Sequence, residues 1–183
     1  VPEGETVVFS AHGVSPAVRL AAKVRKLKVV DTTCPFVAKV HRAAKAFSEK
    51  GLPVVILGDP KHVEVKGIAG ECENVRVWKY GNGGIGELGN GGKIGVVSQT
   101  TMNADEVERQ VAELRKTYDV ETMAEVCHAT KERQDAVKRF TGDAVLVLGS
   151  RMSSNSKRLK EVAEQNGAKA FMAGTMDELR EID

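Results

Sequence analysis

The fold is decided by residues 27–57, which read LKVVDTTCPFVAKVHRAAKAFSEKGLPVVIL. Two apolar, β-branched runs, Leu27–Asp31 and Pro53–Leu57, flank a stretch in which apolar residues recur at helical spacing. That spacing predicts a helix with one buried face, formed by Phe36, Val37, Val40, Ala44 and Phe47. Strand, helix and strand in this order are typical of a right-handed crossover between parallel strands.

The same alternation continues outward over the whole chain. Further helical stripes lie within Asn103–Tyr118 and around Leu159–Ala163. Short, nearly continuous apolar runs predict parallel strands that are covered on both faces. The predicted strands are Thr6–Ser10, Leu27–Asp31, Pro53–Leu57, Val75–Trp78, Lys93–Ser98, Val120–Met123, Ala144–Leu148 and Lys169–Met172. Alternating strands and helices predict the α/β fold class.

Residues 81–92, GNGGIGELGNGG, interrupt this pattern. Gly81, Gly83 and Gly86 match the spacing of a dinucleotide-binding fingerprint, which requires a helix directly after the glycines. A second glycine turn and the predicted strand Lys93–Ser98 follow instead. We therefore interpret this segment as a loop without nucleotide chemistry.

Composition and charge exclude several functions. The 183 residues carry 27 Lys and Arg against 25 Asp and Glu, a net charge of +2, and only 4% are aromatic. This composition lacks the basic footprint of a nucleic-acid-binding or membrane-surface protein and an aromatic platform for single strands. No apolar run suits a transmembrane helix, and no signal-peptide pattern opens the chain. We expect neither a nucleic-acid partner nor a membrane.

Cysteine usage favours a reducing compartment. Cys34, Cys72 and Cys127 are odd in number and far apart, unlike a secreted disulfide framework. The expected location is therefore cytoplasmic, where thiols serve packing, catalysis or metal binding. Since no CxxC pair is present, a metal site would have to be assembled from distant parts of the chain.

Chemically versatile side chains share one position in the pattern, between the end of a strand and the start of a helix. In open α/β sheets this position lines the ligand crevice, and helix N-terminal amides point into it. We expect the loops concerned to face one common hollow. Their candidate residues are His12, Cys34, His62, Glu64, Thr100, Cys127, Ser153, Ser154 and Asn155.

A phosphate site and plain structural roles are both open for several of these residues. One residue of Ser153–Asn155 suffices to cap the helix that follows, whereas hydroxyls, an amide and helix amides together would suit a phosphate. The imidazoles of His12 and His62 would suit a diphosphate, although a histidine in such a turn is more often structural. His41 lies within a predicted helix, and we interpret it as a solvated or capping residue.

Functional and structural roles are both open for the carboxyl group of Glu64 and for the thiols as well. Glu64 is a proton-donor candidate if it is buried, and otherwise an exposed loop glutamate. Thr100 is interpreted as a cap of the helix that follows it. Cys34 and Cys127 precede helices, whose positive ends favour thiolates that bind soft metals, and the alternative is two buried structural cysteines. Cys72 is interpreted as incidental.

Six motifs in one order make the chain similar to a known family. The chain resembles the 4-hydroxy-3-methylbut-2-enyl diphosphate reductase (LytB) family in FSAHGVSP, DTTCPFVAKVH, HVEVKG, VSQTTMN, CHATKERQDAV and GSRMSSNSKRL. The likeness extends over nearly the whole chain and is poorest at residues 81–92.

The resemblance implies a fold and a reaction. The fold is a series of tandem small α/β domains, each with a mostly parallel sheet flanked by helices, around a central cavity. We place them at residues 1–34 (a remnant of the first), 35–123 and 124–183 (an incomplete third). The reaction is reductive dehydroxylation of 4-hydroxy-3-methylbut-2-enyl diphosphate to isopentenyl and dimethylallyl diphosphate, a step of non-mevalonate isoprenoid biosynthesis. The resemblance implies a 4Fe–4S cluster as cofactor and a ferredoxin- or flavodoxin-type electron donor.

The resemblance also implies the role of each residue. Cys34 and Cys127 look like two of the three cysteines that hold the cluster. Glu64 looks like the proton donor, and Thr100 looks like the residue that positions the substrate hydroxyl and relays the proton. The implied diphosphate-binding residues are His12, His62, Ser153, Ser154 and Asn155.

Two departures from the family pattern matter. The family places its first cluster cysteine and a further diphosphate histidine upstream of Val1, and a further serine beyond Asp183. We therefore expect a fragment that is inactive alone. A second histidine that usually precedes the family's HPE segment is replaced within Gly58–Pro60, and the segment itself reads His62-Val63-Glu64.

Two other functions compete with the reductase. A non-catalytic α/β module would hold a phosphorylated ligand through His12, His62 and Ser153–Asn155, with its cysteines merely buried. A zinc-stabilised domain would use Cys34, Cys127 and histidines. The ratio of iron to zinc in the purified protein separates the zinc domain from the reductase.

Overall fold

The structure, a computed structural model, describes residues 1–79, 85, 88 and 92–182. In these ranges, the strands are β1 Thr6–Phe9, β2 Lys28–Asp31, β3 Val54–Leu57, β4 Val75–Trp78, β5 Lys93–Ser98, β6 Asp119–Met123, β7 Ala144–Leu148 and β8 Lys169–Ala173. The helices are α1 Pro16–Val24, α2 Pro35–Glu49, α3 Val63–Ala69, α4 Ala104–Leu114, α5 His128–Arg139, α6 Ser154–Gln165 and α7 Met176–Arg180. Every predicted strand is present, with ends that differ by at most one residue.

The chain divides into two compact units. Unit 1 consists of residues 1–99 and 107–125, and unit 2 consists of residues 100–106 and 126–183. Unit 1 holds the pair β1–β2 and a four-stranded sheet in the order β4-β3-β5-β6, and unit 2 holds the pair β7–β8. These strand pairs are parallel, so the α/β prediction is confirmed. The division into three domains stays a prediction.

The core of unit 1 lies around the central strand β3. All four of its residues are fully buried. Burial of one such aliphatic side chain contributes about 1.5–3 kcal/mol, so this layer fixes the positions of the strand ends. The cluster takes residues from α2, β3, α3 and β5, namely Val40, Ala44, Phe47, Val54, Ile56, Val65, Ile68 and Val97.

The pair β1–β2 is less covered than its sequence predicts. The apolar run of β2 predicted cover on both faces, but all four of its residues are exposed. Within the described residues β2 pairs with β1 alone, so no further strand of that part extends this sheet. Val8, Val29 and Val30 are therefore exposed by 64%, 42% and 49%.

The predicted helices agree with the structure more closely in which residues they bury than in where they end. The helix predicted over Asn103–Tyr118 is the shorter α4, in which Val107, Val111 and Leu114 are buried. The glycine fingerprint at residues 81–86 lies, apart from Ile85, outside the described residues, and the next element among the described residues is the predicted strand β5. No helix in the described part of the chain is both long and apolar enough to cross a bilayer.

Candidate functional site

The loop after β1 presents His12 at the carboxyl end of that strand. The imidazole is exposed, and its Nδ1 lies 3.3 Å from the hydroxyl oxygen of Ser10. The loop turns at Gly13, whose φ of 71° is a left-handed conformation that glycine adopts without strain. Ser15 then caps α1 by accepting a hydrogen bond from the backbone N–H of Val18. The sequence predicts this placement of His12 correctly.

His62 occupies the equivalent place after β3, as the N-cap of α3. Its Nδ1 accepts a hydrogen bond from the backbone N–H of Glu64 at 3.3 Å. Glu64 lies in the first turn of α3 and is only 1% exposed, with a polar interaction of its own. The alternative of an exposed loop glutamate is therefore wrong, because α3 turns this carboxyl group away from solvent.

Unit 1 brings the two candidate histidines into contact. The ring centroids of His12 and His62 are 5.4 Å apart, and the ring planes meet at 74°, an edge-to-face arrangement. Burial, and secondly the charge of His12, lowers the pKa of His62 below its usual value. Two imidazoles this close repel each other when both are protonated, so an anion that contacts both rings would relieve a built-in repulsion.

The turn before His62 is organised by Asp59. One oxygen of Asp59 accepts a hydrogen bond from the backbone N–H of Lys61 at 2.9 Å, and the other pairs with Lys79 Nζ at 2.9 Å. These two partners, Lys79 first, hold the pKa of Asp59 below its usual value. The backbone N–H of Asp59 donates to the side-chain oxygen of Gln99. The turn is therefore fixed by polar contacts of its own.

Cys34 stands at the N-terminus of α2, and its turn is tied to the His12 loop. The backbone N–H of Cys34 donates to the carbonyl oxygen of Ala11 at 3.0 Å. Asp31 orders the same turn: hydrogen bonds from Thr33 and then from Arg19 lower the pKa of its carboxyl group to about 2. The half-buried thiol of Cys34 makes no capping hydrogen bond to α2, so its sulfur is not committed to the helix it precedes.

In unit 2, the triplet Ser153–Asn155 divides into a cap and two other polar groups. Ser153 caps α6 by accepting a hydrogen bond from the backbone N–H of Ser156. The hydroxyl of Thr101 donates to that of Ser154 at 3.0 Å. Oδ1 of Asn155 is buried and has no hydrogen-bond partner within the described residues. Capping therefore explains Ser153 but does not account for the buried Oδ1 of Asn155.

Thr100 lies beside the start of the helix that Cys127 caps. The carbonyl oxygen of Thr100 accepts a hydrogen bond from the backbone N–H of Cys127 at 3.1 Å. The cap of α4 is Asn103, whose Oδ1 accepts from the backbone N–H of Asp105. The interpretation of Thr100 as a helix cap is therefore wrong. Cys127 is half-buried, and its sulfur accepts a hydrogen bond from the backbone N–H of Thr130 at 3.3 Å.

The thiols present do not complete a metal site. Cys34 lies in unit 1 and Cys127 in unit 2. Cys72 packs against the core, where burial and secondly the charge of Glu71 raise its pKa to about 11. Across the described ranges, no three or more His, Cys, Asp and Glu side chains are grouped to hold a metal ion. Cys34 and Cys127 thus have the position and chemistry of thiolate ligands, but the described residues offer no third cysteine suited to that role.

Two close approaches of backbone to side chain escape sequence reasoning. A Cβ at Gly149, after β7, would lie 2.1 Å from the hydroxyl oxygen of Ser156 in α6. A Cβ at Gly70, at the end of α3, would lie 2.5 Å from Cβ of Ser15, the α1 cap. In both cases a glycine lets a helix approach a loop or strand end. The only sequence signal is a glycine next to a candidate motif.

The fold and these loops define an α/β protein in which imidazole, carboxyl, thiol and hydroxyl groups each follow the end of a strand. The family profile described as LytB protein matches residues 1–182. The chain therefore belongs to the LytB protein family.

Individual relatives carry the name of an oxidoreductase. The 4-hydroxy-3-methylbut-2-enyl diphosphate reductase of Acidothermus cellulolyticus is 42% identical over 190 residues, covering 100% of this chain and 55% of its own length. That of Nocardia farcinica is 44% identical, covering 100% and 56%. The solved E-1-hydroxy-2-methyl-but-2-enyl-4-diphosphate reductase of Plasmodium falciparum superposes with a TM-score of 0.88 at 30% identity, covering 100% and 59%. The chain thus spans somewhat more than half the length of these relatives.

Proposed function

We propose that this chain is the part of a 4-hydroxy-3-methylbut-2-enyl diphosphate reductase that binds the diphosphate and supplies the proton donor. The observation that carries the proposal is the contact of His12 with His62, two residues before the buried Glu64. The names of the relatives support the same reaction. The products would be isopentenyl and dimethylallyl diphosphate.

Imidazoles and neutral donors would bind the diphosphate. His12 and His62 each offer an imidazole whose ring N–H can donate a hydrogen bond to an anion. The N-terminus of α6 offers backbone N–H groups and the positive end of a twelve-residue helix. The Nδ2 group of Asn155 and the hydroxyl of Ser154 would donate hydrogen bonds to phosphate oxygens. This set explains how a chain of net charge +2 would bind a polyanion.

Glu64 would deliver the proton that accompanies loss of the substrate hydroxyl. Its carboxyl group is shielded from bulk water, and a shielded group can hold a proton until the substrate takes it. Thr100 is buried, and we propose that its hydroxyl orients the substrate hydroxyl and relays this proton. The overall reaction consumes two electrons and two protons and releases water.

The proposal includes a 4Fe–4S cluster held in part by Cys34 and Cys127. Such a cluster, when bound, supplies electrons and an open iron for the substrate oxygen. We assign no step to it, because the described residues hold only two suitable thiolates. We therefore expect residues 1–183 alone not to turn over.

The setting and the redox partner belong to the same proposal. A ferredoxin- or flavodoxin-type protein would supply the two electrons. Cys34, Cys72 and Cys127 are all free thiols, which suits a reducing compartment, and we propose the cytoplasm.

Calorimetric titration of the chain with inorganic diphosphate tests the binding part of the proposal. We expect the substitution His62→Ala to weaken binding by about tenfold, the loss of one charge-assisted hydrogen bond. The matched control is His128→Ala, since the side chain of His128 on α5 is 84% exposed and pairs with the exposed Glu132. Equal affinity in all three proteins, or no binding by the unaltered chain, would contradict the proposal.

Anaerobic reconstitution followed by assays of iron, sulfide, zinc and dehydroxylation tests the rest. Iron and sulfide bound without turnover are expected. Full turnover by residues 1–183 would refute the incomplete ligand set, and zinc in place of iron would favour the zinc-stabilised domain. Diphosphate binding with neither metal would favour the non-catalytic module.

A further inference from the structure

A buried histidine outside the proposed site links the elements that carry it. His41 lies on α2 and is 7% exposed, so its interpretation as a solvated or capping residue is wrong. Its Nδ1 lies 2.9 Å from Oε1 of Glu71, and the two side chains are only 9% and 11% exposed. Glu71 follows the end of α3, and its backbone N–H donates to the carbonyl oxygen of Ile68 in that helix. The pair therefore joins α2 to the end of α3.

The opposite edge of the ring fills the space that two glycines leave. A Cβ at Gly13 would lie 2.8 Å from Nε2 of His41. A Cβ at Gly67 would lie 3.2 Å from Cε1 and 3.3 Å from Nε2 of the same ring. A Cβ at Gly67 would also lie 3.5 Å from the carbonyl oxygen of Gly13. The His12 loop, α2 and α3 therefore meet at this ring with no room for a further methyl group.

Packing alone gives a poor account of a histidine at this position. Nε2 is buried and has no hydrogen-bond partner among the described residues. A buried polar atom without a partner lowers stability, so an apolar side chain of similar volume would fill the space at less cost. The hydrogen bond to Glu71 fixes the direction in which the ring projects, which an apolar side chain cannot do.

We propose that His41 is a positioning residue for the diphosphate-binding histidines. The ring, held by Glu71, sets the distance between Gly13 and Gly67. Gly13 follows His12 in the loop after β1. Gly67 lies on α3, the helix that His62 caps. The ring thereby maintains the contact between His12 and His62. This inference rests on the proposed function for its consequence, but the geometry that it explains is independent of any ligand.

Nuclear magnetic resonance of the 183-residue chain tests the geometry without a ligand. In the unaltered chain we expect a nuclear Overhauser effect between the rings of His12 and His62, and a His41 ring protonated at Nδ1. The substitution His41→Leu keeps the volume but loses the bond to Glu71, and we expect it to abolish the effect between the two rings. Loss of that effect in a folded variant supports the proposal. Persistence of the effect in the variant, or a His41 ring without a proton on Nδ1 in the unaltered chain, overturns the proposal.

Paired substitutions separate positioning from plain stability. Gly67→Ala places a methyl group against the ring and is expected to weaken diphosphate binding by about tenfold. The combination of Gly67→Ala with His41→Ala lets the new methyl group occupy vacated space, and we expect it to regain part of that affinity. Affinities that simply follow the melting temperatures would overturn the proposal. If His41→Leu does not fold, both the nuclear Overhauser effect and the diphosphate affinity are measured on Gly67→Ala instead.

The outcomes distinguish this inference from the proposed function. If the unaltered chain binds no diphosphate, the proposed function fails, while the ring-to-ring effect still decides the role of His41. If diphosphate binds but His41→Leu changes neither the effect nor the affinity, only the inference fails. His128→Ala again serves as the control, because its side chain is 84% exposed.

Discussion

At the scale of residues, burial sets Cys72 apart from the other two cysteines. Its Sγ lies 3.7 Å from the carbonyl oxygen of Ala44 and 3.8 Å from that of Ile68, either of which can accept its S–H. Burial is the main reason that the pKa of Cys72 rises from 9.0 to about 11. That rise reduces the thiolate fraction near neutral pH by about a hundredfold, and the thiolate is the reactive form. We expect iodoacetamide to alkylate Cys72 about a hundred times more slowly in the folded chain than in urea, as followed by mass spectrometry. Similar rates in both states would contradict this assignment.

The pKa of His62 gives a second prediction at this scale. We expect its ring to titrate below 6.5, and we expect His12→Asn to raise that value only in part, because burial is the larger cause. An unfolded chain then takes up this proton more readily than the folded chain. The free energy of unfolding should therefore fall as pH drops below 6.5, and should show no such contribution above it. Ring titration by nuclear magnetic resonance checks the shift, and a midpoint at or above 6.5 would contradict it.

Local pattern predicts the type of residue at a site but not its surroundings. The strand–helix turns place His12 and His62 at strand ends, yet nothing in either motif states that the two rings touch. The burial of Glu64 and His41 depends on how α3 packs against neighbouring elements. That packing is set by glycines distant in sequence, such as Gly13. In sequence alone His41 looks solvated, because Glu71, the acid that pairs with it, lies 30 residues further along the chain.

At the scale of elements, the packing of α2 on β5 depends on one glycine. A Cβ at Gly95 would lie 2.5 Å from the ring of Phe47. We expect Gly95→Ala to lower the free energy of unfolding by about 1–3 kcal/mol, the usual cost of overpacking a core. Gly92→Ala, just before the same strand, is the control, because nothing lies within 4 Å of a Cβ there. Urea unfolding measures both, and equal stability of the two variants would contradict this account of the core.

The elements themselves were predictable for a simple physical reason. Runs such as Pro53–Leu57 contain little besides aliphatic residues, and a buried parallel strand is the structure that accommodates them. The exposure of β2 was not predictable, because its apolar pattern is the same and burial depends on what lies beside it. The end of α4 was also misjudged, since Tyr118 continues the apolar stripe after the helix has ended.

At the scale of the molecule, the two units divide the proposed chemistry between them. Unit 1 holds the histidine pair, Glu64 and Cys34, and unit 2 holds Thr100, Cys127 and Ser153–Asn155. Six ordered motifs identified the family from the sequence alone, and the family profile over residues 1–182 confirms it. The roles of the individual residues stay predictions, because they depend on a substrate and a cofactor rather than on the chain.

The most direct test of the central claim measures Glu64→Gln in a completed enzyme. In a chimera, the remaining segments of the Acidothermus cellulolyticus relative would flank residues 1–183. Glu49→Gln, an exposed glutamate on α2, is the matched control. We expect Glu64→Gln to lower turnover by about a hundredfold or more, the usual contribution of a general acid, while inorganic diphosphate binds as before. Unchanged turnover, or turnover and binding lost together, would contradict the role of Glu64 as proton donor.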